Sequence, residues 1–170
     1  VTGDELRRYP DPESTLLKQA FARRHGLQPE QVFLGNGSDE VLAHVFHALL
    51  RHERPLLFPD VTYSFYPVWC DLYQVRWRAV PLTPDFRVEP ADYQGDNGGI
   101  IIPNPNAPTG VLLGLAGVRR ILEQNPACVV VIDEAYIDFG GASAVTLIQR
   151  FAILLVVEML FMSFALAGLR

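Results

Sequence analysis

The stretch Cys128-Val129-Val130-Val131-Ile132-Asp133-Glu134-Ala135-Tyr136-Ile137-Asp138-Phe139 decides the fold. An unbroken β-branched run without polar alternation marks a strand covered on both faces, the setting of a parallel sheet flanked by helices. The run stops abruptly at two carboxylates and a tyrosine. Ligands of open α/β sheets bind beyond the carboxyl ends of the strands, so Asp133 and Tyr136 stand where a ligand is expected.

Outward from this strand the same pattern repeats. Gly99-Ile100-Ile101-Ile102 is a second buried run, and it enters Pro103-Asn104-Pro105-Asn106-Ala107-Pro108-Thr109-Gly110, where the prolines restrict the backbone and present side-chain amides rigidly to a ligand. Val32-Phe33-Leu34 reads as a short strand running into Gly35-Asn36-Gly37-Ser38-Asp39-Glu40, followed by the helical apolar spacing Val41, Leu42, Val45, Phe46, Leu49. A glycine turn opening a helix, with Ser38 or Asp39 as cap, leaves free N–H groups and a helix dipole for an anion. No lysine follows the glycines, so this is not the phosphate loop of an NTPase.

Residues 55–58 form a further short strand ending at Pro59-Asp60. The aromatic segment Thr62 to Trp69 follows it, with Tyr63 first in line beyond the strand and the one expected to leave the core for a planar ligand. Val75 to Val80 alternates apolar and charged residues, as an edge strand does. A helix is expected from Glu13 to Arg24, with Leu16, Leu17, Ala20 and Phe21 on its apolar face and Gly26 as its stop; another runs from Leu115 to Glu123. Residues 83–97 make a surface loop with one short helical turn. The predicted class is α/β, a mostly parallel sheet with helices on both faces, as a single domain over residues 1–170.

The 170 residues are 49% hydrophobic and 19% charged with a net charge of -5. That describes a globular chain with a sizeable core and excludes nucleic acid as the main partner, since phosphate backbones require a basic face. Cys70 and Cys128 have no metal-ligand spacing and read as free buried thiols of a reducing, cytoplasmic setting. His44, His47 and His52 lack a completing carboxylate or cysteine, so no metal site is expected. The amino end carries no signal-peptide pattern and looks cut from something longer. Residues 151–169 have the length of a membrane span, but Glu158 at mid-span costs about 2.5–3.5 kcal/mol on insertion scales. A buried strand over 153–157 is the better reading, and no membrane association is expected. Among fourteen basic residues the only lysine is Lys18, on the first helix, where it reads as a solvated side chain.

Taken in order, Tyr9-Pro10, Gly37-Ser38-Asp39-Glu40, Thr62-Tyr63, Asn104 to Gly110, Asp133 to Phe139 and Leu166-Ala167-Gly168-Leu169-Arg170 resemble the histidinol-phosphate aminotransferases, fold-type I enzymes dependent on pyridoxal phosphate. The Tyr-Ile-Asp-Phe continuation after Asp-Glu-Ala is what distinguishes this branch from aromatic or aspartate-like aminotransferases. The resemblance implies transfer of an amino group between glutamate and imidazole-acetol phosphate. It implies that Asp133 pairs with the cofactor's pyridine nitrogen, Tyr136 bonds its phenolic oxygen and Tyr63 stacks on its ring. Gly37, Ser38 and Arg170, with Asp39 beside them, would hold the phosphate. Tyr9 would reach the cofactor of a neighbouring subunit, which implies a homodimer.

Two positions depart from the pattern. The family carries asparagine directly before Pro-Thr-Gly, where this chain has Ala107, so Asn106 is the candidate in its place. The family's Schiff-base lysine falls at Met162, within Met159-Leu160-Phe161-Met162. Met162 has no amine to link the cofactor or carry a proton, and the family's small domain does not follow. The expectation is a partial large domain that holds pyridoxal phosphate without a covalent link and without turnover. A non-catalytic phosphate-binding or dimerisation module is the runner-up.

Overall fold

The computed structural model describes residues 9–160, which fall into two compact units divided between Gly35 and Asn36. In the first, helix α1 (Thr15–His25) begins where the Asp11 carboxylate accepts the backbone N–H groups of Glu13 and Thr15 at 3.0 and 2.8 Å. It ends at Gly26, whose φ of 66° is the left-handed conformation that costs glycine nothing. The expected apolar face is largely open: Leu16 and Leu17 are exposed, and Ala22 is the buried residue of the helix. Lys18 makes a 3.5 Å ion pair with Glu13.

Residues 32–34 form no strand, which corrects the sequence reading: Phe33 is exposed and no ladder includes the segment.

The second unit is a five-stranded parallel sheet in the order β2-β1-β3-β4-β5, comprising β1 (Leu56–Pro59), β2 (Trp77–Val80), β3 (Gly99–Pro103), β4 (Val129–Glu134) and β5 (Leu154–Glu158). Helices α2 (Ser38–Ala48) and α3 (Tyr66–Tyr73) share one apolar cluster with Phe58, Ile101, Val131 and Val157. Helix α4 (Leu115–Gln124) shares the other with Leu57, Ile100, Ile102, Val130 and Ile132. Successive strand residues point to opposite faces, so β3 and β4 feed alternate side chains into two cores and need apolar residues throughout. Each fully buried aliphatic side chain stabilises by about 1.5–3 kcal/mol. β2 lies at the edge, as its alternation predicts.

The loop over 83–97 contains one 3-10 turn, Pro90–Tyr93. Residues 154–158 are strand, and among the described residues no helix is long and apolar enough to cross a membrane.

Candidate active site

The parity of β4 places its two terminal carboxylates on opposite faces. Asp133 follows Val131 toward α2 and α3, whereas Glu134 follows Ile132 toward the α4 side. Asp133 is 5% exposed; the Tyr66 hydroxyl donates to its Oδ2 at 2.8 Å and the Ala135 N–H to its Oδ1 at 3.3 Å. Burial pushes its carboxyl up to about 6, against the opposing effect of those two donors, and the Asp39 charge adds to the rise. Tyr66 is itself buried and held well above the usual phenol range by desolvation first and the Asp133 charge second, so it remains a donor.

Tyr63 stands perpendicular to Tyr66 with ring centres 5.6 Å apart, and its hydroxyl donates to Asp39 Oδ1 at 3.0 Å. Partial burial, then the bond to Asp39, pushes Tyr63 up to about 12. The polar and aromatic series Asp39, Tyr63, Tyr66, Asp133 thereby ties the start of α2 to the segment after β1 and the end of β4. Tyr66 is the member that sequence reading misses. Its signal was available, three residues after Tyr63 at a helix start, but an aromatic run by itself looks like core.

At the start of α2, Gly37 has φ 84°, a conformation open to glycine, and Ser38 is buried as the first helical residue. No side chain caps this end, in contrast to the expectation for Ser38 or Asp39, so the first-turn N–H groups lack intrahelical acceptors. The Asn36 N–H donates to the Glu40 carboxylate and closes the turn.

The loop after β3 divides its amides by role. Asn104 is fully buried and bonds both ways to the Leu113 backbone, its Nδ2 donating at 3.0 Å and its Oδ1 accepting at 2.8 Å. It therefore closes its own loop and presents nothing to a ligand. Asn106 donates from Nδ2 to the Val61 carbonyl at 2.9 Å and to Thr109 Oγ1 at 3.0 Å, which fastens this loop to the one after β1. Among the described residues, Asn106 Oδ1 and Thr62 Oγ1 are buried without hydrogen-bond partners. An orphaned buried polar atom costs about 1–3 kcal/mol.

Tyr136 is 38% exposed, its ring 6.3 Å from that of Phe139. Tyr9 belongs to the first unit and is fully exposed. Met162 and Arg170 lie outside the described residues.

On the opposite face Glu134 is 1% exposed. Its Oε1 accepts the Ala144 N–H at 2.7 Å, and its Oε2 has no hydrogen-bond partner among the described residues. It stands level with Glu158 of β5, which accepts from Ser143 Oγ at 3.3 Å. Burial pushes Glu134 up to about 7, against the opposing effect of the Ala144 N–H and the Ser143 hydroxyl, and the Glu158 and Asp133 charges add to the rise. Both cysteines are free and buried, and burial raises both thiols. His52 Nδ1 accepts the Arg54 N–H, and His47 packs on Tyr73.

Against known proteins, the family described as aminotransferase class I and II matches residues 1–170. The chain belongs to this aminotransferase family. It is 62% identical over 168 residues to histidinol-phosphate aminotransferase 1 of Pseudomonas fluorescens (strain Pf0-1), covering 99% of this chain and 48% of that protein. With the histidinol-phosphate aminotransferase of Pseudomonas syringae pv. syringae (strain B728a) it shares 60% over 167 residues, 98% of this chain and 48% of the relative. The chain thus spans about half the length of the curated relatives it matches.

Among solved structures, the histidinol-phosphate aminotransferase of Clostridium acetobutylicum superposes with a TM-score of 0.85 at 24% identity, covering 96% of this chain and 50% of that one. The Sinorhizobium meliloti enzyme in complex with pyridoxal-5'-phosphate gives 0.78 at 22%, covering 95% and 46%. L-threonine-O-3-phosphate decarboxylase from Porphyromonas gingivalis gives 0.83 at 23%, covering 96% and 52%. At these identities the superpositions show the aminotransferase fold, and that fold also carries a decarboxylase.

Proposed function

We propose that the chain is the cofactor-binding portion of a histidinol-phosphate aminotransferase, that it holds pyridoxal phosphate non-covalently, and that it does not itself turn over. The observation that carries the reading is the buried Asp133 carboxylate, bonded by Tyr66 at the carboxyl end of β4 and raised to about 6. A buried carboxylate near neutrality calls for a cationic partner, and a protonated pyridine ring nitrogen is one.

The other residues fit the same group. Gly37 and Ser38 offer uncapped first-turn N–H groups to a phosphate, in the way helix starts hold anions. The orphaned Asn106 Oδ1 and Thr62 Oγ1 lie on loops joined through the Asn106 to Val61 bond, on the same sheet edge as Asp133. Tyr63 offers a ring face and Tyr136 a phenol. Arg170 would complete the phosphate contacts, and Tyr9, exposed in the first unit, would serve a second subunit of a homodimer.

Bound there, pyridoxal phosphate supplies an electron sink for the charge left on the substrate Cα. Asp133 keeps the ring nitrogen charged, and Tyr66 holds that carboxylate in one orientation. Tyr63, fixed by Asp39, would offer its ring face to the bound cofactor. A proton carrier at residue 162 is missing, because Met162 has no titratable group. The names of relatives near 60% identity support histidinol phosphate as a substrate, and a cytoplasmic setting accords with free cysteines. Residues 1–170 would form one partial large domain.

Absorbance titration with pyridoxal phosphate should show saturable binding that dialysis reverses. Borohydride treatment and peptide mass mapping should then find no label on the unmodified chain and label at position 162 in Met162→Lys. Stoichiometric label on Lys18 in the unmodified chain would overturn the proposal.

A further inference from the structure

The opposite end of the sheet carries a second concentration of charge, of the other sign. Residues 51–55 lead into β1, residues 75–76 lead into β2, and Leu56 is level with Trp77, so both segments meet at the amino edge. Two open cavities lie there. One of about 660 Å³ is lined by Arg51, His52, Gln74 and Arg76. The other, about 940 Å³, is lined by Arg54, Arg76, Trp77, Arg78 and Asp96. Arg76 and Glu53 line both, which makes them lobes of one groove. Volumes of this order suit small ligands.

Four arginines face Glu53 and Asp96 in a chain whose net charge is -5. Arg54 is paired with Asp96 at 3.6 Å, and Arg76 donates to the Glu53 carbonyl at 3.5 Å. Arg51, Arg76 and Arg78 have no carboxylate partner among the described residues. Charges on an edge strand commonly prevent edge-to-edge pairing, which accounts for Arg76 and Arg78 on β2 and its lead-in. It does not account for Arg51 and Arg54, which come from a separate segment.

That segment is built to stay where it is. His52 Nδ1 accepts the Arg54 N–H at 3.0 Å, and the Gly98 N–H donates to the Pro55 carbonyl at 2.9 Å. A Cβ at position 98 would lie 2.6 Å from the Arg54 carbonyl oxygen and 2.7 Å from His52 Cβ, so only glycine permits the approach. A guanidinium fork matches phosphoryl oxygens in pairs and is always charged. Several such forks around one groove suit a compact ligand with more than one phosphoryl group.

We propose that the amino edge of the sheet, at the groove lined by Arg51, Arg54, Arg76 and Arg78, binds a small polyanion of the diphosphate class. The site is separate from that of Asp133, which lies at the carboxyl ends of the same strands. Trp77 is 42% exposed in the groove while Trp69 is buried, so tryptophan emission reports on it.

The test is calorimetric and fluorescence titration of the chain with inorganic pyrophosphate at constant ionic strength, with adenosine diphosphate run beside it. Saturable binding that Arg76→Ala weakens at least about tenfold is expected, with unchanged circular dichroism. Trp77→Phe should remove the emission change and leave the heat. Equal affinity for the two ligands assigns free diphosphate as the ligand, and tighter binding of the nucleotide assigns a diphosphate ester. Saturating pyridoxal phosphate should leave either affinity unchanged. Absence of binding, binding indifferent to Arg76→Ala, or displacement by pyridoxal phosphate would each overturn the proposal.

Discussion

Asp133 and Glu134 are chemical near-equals, adjacent in sequence and both buried, yet they sit in differently completed surroundings. Asp133 has both oxygens bonded, one of them by a buried phenol, and faces the loops that carry Tyr63 and Asn106. Glu134 has one oxygen on a backbone amide and the other without a hydrogen-bond partner among the described residues, with a second carboxylate level with it on β5. Burial dominates both shifts; against it Asp133 has a buried phenol of α3 at 2.8 Å, whereas Glu134 has the Ala144 N–H and the Ser143 hydroxyl, which is shared with Glu158. The difference teaches that a raised pKa does not itself mark a ligand site; the proposed site rests on an oriented carboxylate beside unpartnered loop groups.

The largest test of this contrast is pH. Both groups have folded pKa values above their unfolded ones, about 6 against 3.8 and about 7 against 4.5. Stability they confer is fully present below the unfolded values and is lost as pH rises through the folded ones. Each contributes a loss on the order of 2–3 kcal/mol between pH 4 and 8. Urea midpoints should therefore be lower at pH 8 than at pH 5, and the double variant Asp133→Asn, Glu134→Gln should flatten most of the slope. A midpoint that rises toward pH 8 contradicts the assignment.

Pyridoxal phosphate separates the two carboxylates. At saturation it should recover the Asp133 part of the loss at pH 8 and leave the Glu134 part. The Glu134→Gln gain in stability at pH 8 should thus persist with cofactor present, whereas Asp133→Asn should weaken cofactor binding about tenfold or more. Equal effects of the two substitutions on binding would erase the distinction between the two faces.

Tyr66→Phe is the next smaller change. It removes the donor to Oδ2 in a buried setting, costing about 1–3 kcal/mol at pH 8 and less at pH 5, where the carboxyl is protonated. The Asp133 titration should move above 6, measurable by carboxyl NMR shifts. The smallest effect is expected from Ser143→Ala, about 0.5–1.5 kcal/mol through the lost bonds to Glu158 and the Val145 N–H. Cofactor affinity should not change there, and a change would mean that the two faces communicate.

The sequence by itself determined strands β3, β4 and β5, because each sends apolar side chains alternately into the two clusters and so requires a continuous apolar run. It also located Asp133, Tyr63 and the Gly37 turn, since strand ends and helix starts are marked by where those runs stop. Only the tertiary structure decided that residues 32–34 stay out of the sheet, because a strand needs a neighbour with which to bond. Likewise, Asn104 and Asn106 look alike in the chain, and the Leu113 and Val61 backbones give them separate tasks. Tyr66 looked like one more core aromatic until β4 brought Asp133 to its hydroxyl. The arginines at 51, 54, 76 and 78 are scattered in sequence and acquire a common purpose only because parallel pairing sets the amino ends of β1 and β2 side by side.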